Sequence, residues 1–271
     1  MPADNMRQFQ SALLTRLERG ERLVLYGPCG SGKSTLIGKL HARIVRRGIP
    51  CAVSAMTTSL DDITRSLEHA YPYVDTASTT RREARARLVL AADRNEGVLL
   101  LDHVTNVTTA MLGLLRRLRG GIAGVLLAID VDEERDHRRL PGRHLGISWL
   151  PMPRASTRTL RGLFRRYTTG GKRPRITAHQ ERQILRAARG RPGWIVQCAR
   201  LMAEKQYWRG ETLYTSVLCI DTEIALRQGN LRLLLYQDDT APELGLALST
   251  KRKKADLPRV AHESVGRFPR C

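Results

Sequence analysis

Continuous apolar runs alternate with amphipathic segments over the first 150 residues of the chain. The runs, which are typical of strands buried on both faces, lie at residues 23–25, 51–55, 98–101, 122–129 and 145–150. Segments with apolar side chains at helical spacing lie at residues 6–19, 33–47, 61–70 and 81–94. Strands that alternate with helices predict an α/β fold, with a parallel sheet and helices on both of its faces.

Beyond residue 153 the pattern changes to one of helices. Leu160, Leu163 and Phe164 share one side of a predicted helix over residues 155–167, and a T-x-x-Q capping box from Thr177 to Gln180 opens the next helix. A further helix is predicted to begin near Pro192, followed by a hairpin centred on Arg209-Gly210 and a helix over residues 216–227. We therefore expect an α/β core over residues 1–152, a helical lid over 153–236 and a flexible basic tail over 237–271.

One motif joins the first strand to the helix after it. Residues 27–34 read GPCGSGKS and match the phosphate-loop pattern G-x-x-x-x-G-K-[ST] without a gap. Its glycines allow several N–H groups to point at one anion, and the following helix adds the positive end of its dipole. The residues expected to contact a nucleotide here are Gly27, Pro28, Cys29, Gly30, Ser31, Gly32, Lys33, Ser34 and Thr35.

An acidic residue follows the third apolar run. Asp102 ends the sequence GVLLLD, and an acid at the carboxyl end of a strand lies at the edge where open α/β sheets bind ligands. Lys33 is predicted to reach the β- and γ-phosphates of ATP, while Ser34 and Asp102 are predicted to hold Mg²⁺ from opposite sides. The motifs thus indicate a site for ATP and Mg²⁺.

The charge of the chain favours a polyanionic partner. Lys and Arg number 46 against 26 acids, a net charge of +20, and nucleic acid is preferred over membrane because no long basic helix carries bulky apolar anchors. No apolar segment is long enough to span a bilayer, and no signal peptide is visible. The five cysteines show no metal-binding spacing, which favours free thiols and a cytoplasmic location.

Arginines are concentrated at the start of the helical region. We predict that they form a DNA-binding face through backbone contacts, although a merely solvated basic face is the alternative. The face comprises Arg154, Arg158, Arg161 and Arg165 on one helix and Arg182 and Arg186 on the next. Arg138, Arg139 and Arg143 are the candidates for arginine fingers that reach the nucleotide of a neighbouring subunit.

Taken together, the motifs GPCGSGKST, VLLLD and GVLLAID and the helical region resemble those of AAA+ and STAND-type ATPases, in particular the compact replication initiators and transposition regulators. The resemblance covers roughly residues 10–228. It implies an ATP-dependent homo-oligomer, with a protein partner also possible. It also implies that Asp130 lies in the sensor-one region and that Arg191, in the turn GRPG, is the lid sensor; a plain capping turn is the rival interpretation of Arg191.

The sequence departs from the family beside the acid. Those ATPases usually place a second carboxylate after Asp102 to orient water, whereas this chain has His103, which predicts slow, switch-like hydrolysis. Three acids are alternative water-positioning residues: Asp130, Asp132 and Glu133. His103 packing inertly at the strand end is the other interpretation. Two further functions stay open: a P-loop kinase for small molecules or nucleotides, and a nucleotide-binding module without turnover.

Overall fold

The structure is a computed structural model, and it describes residues 3–77, 80–95, 97–104, 111, 113–114, 124–131, 147–168 and 176–235. These residues belong to one compact unit, Met1–Tyr236. In chain order the elements are α1 (Ala3–Glu18), β1 (Arg22–Gly27), α2 (Lys33–Arg46), β2 (Cys51–Ser54), α3 (Leu60–Ala70), α4 (Arg81–Arg94), β3 (Val98–Leu101), β4 (Gly124–Asp130), β5 (Ser148–Pro151), α5 (Thr157–Thr168), α6 (Ala178–Ala187), α7 (Pro192–Leu201), a 3₁₀ turn (Lys205–Tyr207), β6 (Trp208–Arg209), β7 (Thr212–Leu213) and α8 (Thr215–Leu235). The predicted tail, 237–271, lies outside the described residues, and the predicted boundary at residue 152 stays a prediction.

The five long strands form one parallel sheet in the order β2-β3-β4-β1-β5. The strands are apolar because helices cover both faces of the sheet, and all four residues of β3 are buried. Gly27 at the end of β1 pairs with Asp130 at the end of β4, while Leu101 at the end of β3 pairs with Leu127. The carboxyl ends of β1, β3 and β4 therefore meet at one edge of the sheet, as the predicted α/β fold requires.

Each face of the sheet has its own apolar core. Leu17 of α1 and Leu40 of α2 pack on one face, and Leu67 of α3 and Leu88 of α4 pack on the other; all four are fully buried. Gly124 is required at the start of β4, because a Cβ there would lie 2.3 Å from the carbonyl oxygen of Leu17. Backbone contact at this point holds α1 against the sheet.

The helical region has a third core. Phe164, Trp194 and Leu218, from α5, α7 and α8, are buried together, and the predicted capping box is confirmed because the side chains of Thr177 and Gln180 bond each other's backbone N–H groups. The predicted hairpin forms with its turn one residue later than expected, at residues 210–211, between β6 and β7. The last helix extends to Leu235 rather than ending at residue 227.

Candidate functional site

The phosphate loop connects the end of β1 to the start of α2. Gly30 has φ of 76° and Gly32 has φ of 100°, values in the left-handed region that glycine adopts without strain. Gly32 is the N-cap of α2 and provides no capping side chain, and the first turn of the helix contains no acid. The first N–H groups of α2 are therefore left to an anionic ligand, which fits a phosphate.

Lys33 is buried under the loop, and its ammonium group is held on several sides. Its Nζ donates to the carbonyl oxygens of Gly27 at 2.6 Å and Pro28 at 3.0 Å and to Ser31 Oγ at 3.2 Å. The same atom lies 2.6 Å from Asp130 Oδ1. The lysine that was predicted to bind the β- and γ-phosphates thus has a carboxylate partner within the protein.

Asp102 lies where the sequence predicts, directly after β3. Its carboxylate is buried, and its backbone is fixed because its N–H donates to Ser54 O at 2.8 Å and its carbonyl accepts from Thr57 N at 3.0 Å. Its Oδ1 accepts a hydrogen bond from the backbone N–H of His103 at 2.9 Å. These bonds leave the acid little freedom to move.

His103 connects the other functional side chains. Its Nε2 lies 3.2 Å from Ser34 Oγ and 4.0 Å from Asp102 Oδ2, and its Nδ1 lies 3.5 Å from Asp130 Oδ2. His103 has φ of 46°, an unusual conformation for a residue other than glycine and one typical of functional sites. The two predicted Mg²⁺ ligands, Ser34 and Asp102, therefore flank one imidazole nitrogen.

The charges in this cluster perturb one another. Burial raises the pKa of Asp130, but the hydrogen bond with His103 and the charge of Lys33 outweigh burial and lower the pKa to about 2. The hydrogen bond with Asp130 raises the pKa of His103 against the opposing effect of burial. Asp130 is therefore an anion that contacts both Lys33 and His103, a role the sequence did not predict.

A cleft of about 590 Å³ opens above the phosphate loop. Its polar end contains residues 29–35, His103 and Asp130. Its apolar wall comes from both parts of the chain and includes Met6, Met152, Leu163, Val196 and Leu226. An anion-binding loop beside an apolar wall fits a nucleotide, which has a charged phosphate chain and a flat base.

The helical region touches the phosphate loop directly. Gly193, at the start of α7, donates its N–H to the carbonyl of Gly30 at 2.8 Å. A Cβ on Gly193 would lie 3.0 Å from Gly30 Cα, and a Cβ on Gly30 would lie 3.0 Å from the backbone nitrogen of Trp194. Both glycines are needed for this approach, although the sequence indicated only the one in the loop motif.

No protein-family model matches the chain, and no curated protein matches it in sequence. Among solved structures, the chain is similar to a RuvB variant from Thermotoga maritima, at 16% identity and a TM-score of 0.45, covering 83% of this chain and 70% of that one. It is also similar to AMPPCP-bound DnaA from Aquifex aeolicus, at 14% identity and a TM-score of 0.48, covering 87% and 70%. A third is Drosophila ORC bound to DNA, at 17% identity and a TM-score of 0.39, covering 55% and 90%.

The chain has the parallel-sheet fold of a P-loop NTPase core. The parallel sheet, the phosphate loop between β1 and α2 and the acid after β3 carry this conclusion. The likeness to the solved structures, at these identities and TM-scores, carries no argument about activity or partners.

Arg191, the predicted lid sensor, does not line the cleft in this structure. It is buried at the N-cap of α7, and its guanidinium bonds Glu223 of α8 at 3.1 and 2.7 Å. Glu223 also accepts from Trp194 Nε1 at 3.2 Å. The side chain faces its own helical region because Glu223, 32 residues away, attracts it, and no local signal in the sequence marks that partner.

The predicted arginine face is altered in two respects. Arg154 is not on the face of α5, because the helix begins only at Thr157. Glu181 of α6 pairs with Arg161 at 3.0 Å and lies 3.9 Å from Arg165, so part of the predicted charge is neutralised. Arg158, Arg182 and Arg186 are exposed, as predicted.

Other predicted residues lie outside the part of the chain that the structure describes: Asp132, Glu133, Arg138, Arg139 and Arg143. Within the described part, the cysteines are free thiols. The helices there are too short or too polar to span a membrane.

Proposed function

We propose that the chain binds ATP with Mg²⁺ in this cleft, hydrolyses it slowly and acts as an ATP-dependent switch on DNA. The observation that carries the proposal is the meeting of Lys33, Ser34, Asp102 and His103 at one sheet edge, below the uncapped start of α2. This arrangement combines an anion site with hard oxygen ligands and a group able to exchange protons.

Phosphate binding in this site involves competition within the protein. The loop N–H groups are preorganised by Gly30 and Gly32, but the ammonium of Lys33 is already paired with Asp130. A bound triphosphate offers Lys33 a more highly charged partner. We infer that nucleotide binding weakens the Lys33–Asp130 pair and leaves Asp130 to hold His103.

The oxygen atoms of Ser34 and Asp102 are suited to Mg²⁺, which binds proteins through one or two oxygen ligands and completes its shell with phosphate and water. No cluster of three His, Cys, Asp or Glu side chains with the geometry of a metal site occurs in the described parts of the chain. A Mg²⁺ ion held by Ser34 and Asp102 would neutralise part of the negative charge of the phosphates. Asp102 is suited to this role because its backbone is fixed and its carboxylate is buried.

His103 is our candidate for orienting the attacking water. Asp130 holds Nδ1, so Nε2 faces Ser34 and the cleft. The hydrogen bond with Asp130 raises the pKa of His103, and whenever the imidazole is protonated its Nε2 has no lone pair with which to take a proton from water. Slow hydrolysis follows, as is expected of a switch.

The proposed switch depends on one nucleotide that contacts both the sheet and the helical region. The cleft walls come from the sheet through Met152 and from the helical region through Leu163 and Val196. A ligand that contacts both parts favours their closed arrangement. We propose that this closure controls assembly into homo-oligomers, the presentation of arginines to DNA and the binding of a protein partner.

ATP affinity and phosphate release, measured with and without duplex DNA, test the proposal. We expect binding in the presence of Mg²⁺, turnover well below one per second and faster turnover or larger particles with DNA. An absence of ATP binding, or turnover at tens per second, would contradict it. Binding without any phosphate release would instead identify a nucleotide-binding module, and transfer of phosphate to a nucleotide or small alcohol would identify a kinase.

A further inference from the structure

We propose that Arg154 contacts the phosphate chain of the bound nucleotide, and that it is therefore a nucleotide-binding residue rather than part of the DNA surface. The inference rests on the proposed ATP site and goes beyond it, because neither motif contains this residue. In this assignment Arg154 places a positive charge beside the phosphates, the role that the sequence analysis predicts for Arg191.

The position of Arg154 supports this assignment. The residue lies between the end of β5 and the start of α5, in a segment that crosses from the sheet to the helical region. The neighbouring Ala155 donates its N–H to Gly190 O at 2.9 Å, which fixes the segment to the turn before α7. Arg154 and Ala155 both line the cleft, together with the phosphate loop and Gly193.

Gly190 makes room for the arginine. It has φ of 81°, and a Cβ at this position would lie 2.7 Å from Arg154 Cβ and 3.3 Å from Arg154 Cγ. The aliphatic stem of Arg154 therefore packs against a glycine that can be replaced only with strain. The contact with Gly190 fixes the direction in which the Arg154 side chain leaves the backbone at the wall of the cleft.

The charge balance of the cleft favours a phosphate as the partner of Arg154. Among the described residues, no carboxylate lies within ion-pair distance of its guanidinium, whereas Lys33 and His103 both share Asp130. Arg191 is held by Glu223 outside the cleft, and Arg154 is the one arginine among the described lining residues. A planar guanidinium is well suited to two oxygens of a phosphate.

Arg154→Ala tests the inference, with Arg65→Ala as the matched control because Arg65 is exposed on α3 and does not line the cleft. We expect Arg154→Ala to weaken ATP binding about ten- to hundredfold, as loss of a charged hydrogen bond does, and to leave duplex DNA affinity, measured without nucleotide, within about twofold. Arg154→Lys should recover part of the ATP affinity. Since Arg154 is exposed, the nucleotide-free melting temperature should not change.

Three outcomes separate the hypotheses. Wild-type ATP affinity in Arg154→Ala overturns this inference while the proposed function stands. A loss of DNA affinity without loss of ATP affinity also overturns it and returns Arg154 to the DNA surface. A wild-type protein that does not bind ATP overturns the proposed function and, with it, this inference.

Discussion

The nucleotide cleft and the arginine face of α5 and α6 are built in opposite ways. In the cleft, Lys33, Asp102 and His103 are fixed by hydrogen bonds to the backbone or to one another. On the face, Arg158 and Arg182 extend into solvent, and the pairing of Arg161 with Glu181 is between partly exposed groups. Fixed charges define a site for one ligand, whereas exposed charges define a surface for a flexible or extended one.

This difference explains why the sequence predicts the phosphate loop more completely than the arginine face. The phosphate loop is a backbone motif, so its residues determine its shape wherever it occurs. The arginine face depends on which charges remain unpaired after folding, and Glu181, in the adjacent helix, removes part of it.

Lys33→Ala should produce the largest change, a loss of ATP affinity of about a hundredfold or more, because a buried ammonium no longer meets the phosphates. Equilibrium titration with ATP and Mg²⁺ measures it. Lys205→Ala, an exposed lysine outside the cleft, should bind as wild type. Full ATP affinity in Lys33→Ala would remove the cleft from consideration as the nucleotide site.

Replacing Arg158, Arg182 and Arg186 together by Ala should weaken duplex DNA binding by about thirtyfold at physiological salt and reduce the salt slope by about 3. Salt-dependent DNA titrations check this expectation. The control replaces three exposed arginines elsewhere, Arg46, Arg65 and Arg82, and so removes the same charge. Equal losses in both triple variants would show that net charge, not this face, binds DNA.

Glu223→Gln should destabilise the fold by about 1 kcal/mol at pH 7, since it removes the charged partner of buried Arg191. The hydrogen bond with Arg191 lowers the pKa of Glu223 below its ordinary value of 4.5, so this stabilisation is present above pH 4.5 and is lost as the pH falls through the folded-state pKa. Urea unfolding at pH 7 and pH 4 measures the difference in free energy of unfolding between the variant and the wild type. This difference should be smaller at pH 4. Glu211→Gln, at an exposed acid, serves as the control; a constant difference at both pH values would contradict the expectation.

Glu181→Gln should have the smallest effect, a two- to threefold gain in DNA affinity, because Arg161 and Arg165 are released from their acidic neighbour. The same DNA titration detects it, and ATP affinity should stay at the wild-type value. Unchanged or weaker DNA binding would show that these two arginines face away from the bound DNA.

Much of the fold was predictable because its signals are local. The continuous apolar runs gave the strands, and the T-x-x-Q pattern gave the start of α6. Helix ends were less certain: α8 continues to Leu235, and α5 starts too late to include Arg154 on its face. The helix α5 begins after Ser156 because the Ser156 Oγ accepts a hydrogen bond from the backbone N–H of Thr159 at 3.1 Å, a local cap that the sequence prediction did not use.

Local sequence patterns are enough to predict the phosphate loop, the acid after β3 and the α/β order of elements, because loop conformation and hydrophobic periodicity depend on residues that are close together in the chain. The electrostatic partners, in contrast, are established only when the chain folds. Asp130 pairs with Lys33 and His103, Glu223 takes Arg191 out of the cleft, and Arg154 enters it beside Gly190. The physical reason is that ion pairs depend on distances in space, and residues tens of positions apart come within 4 Å only once the sheet and helices have packed.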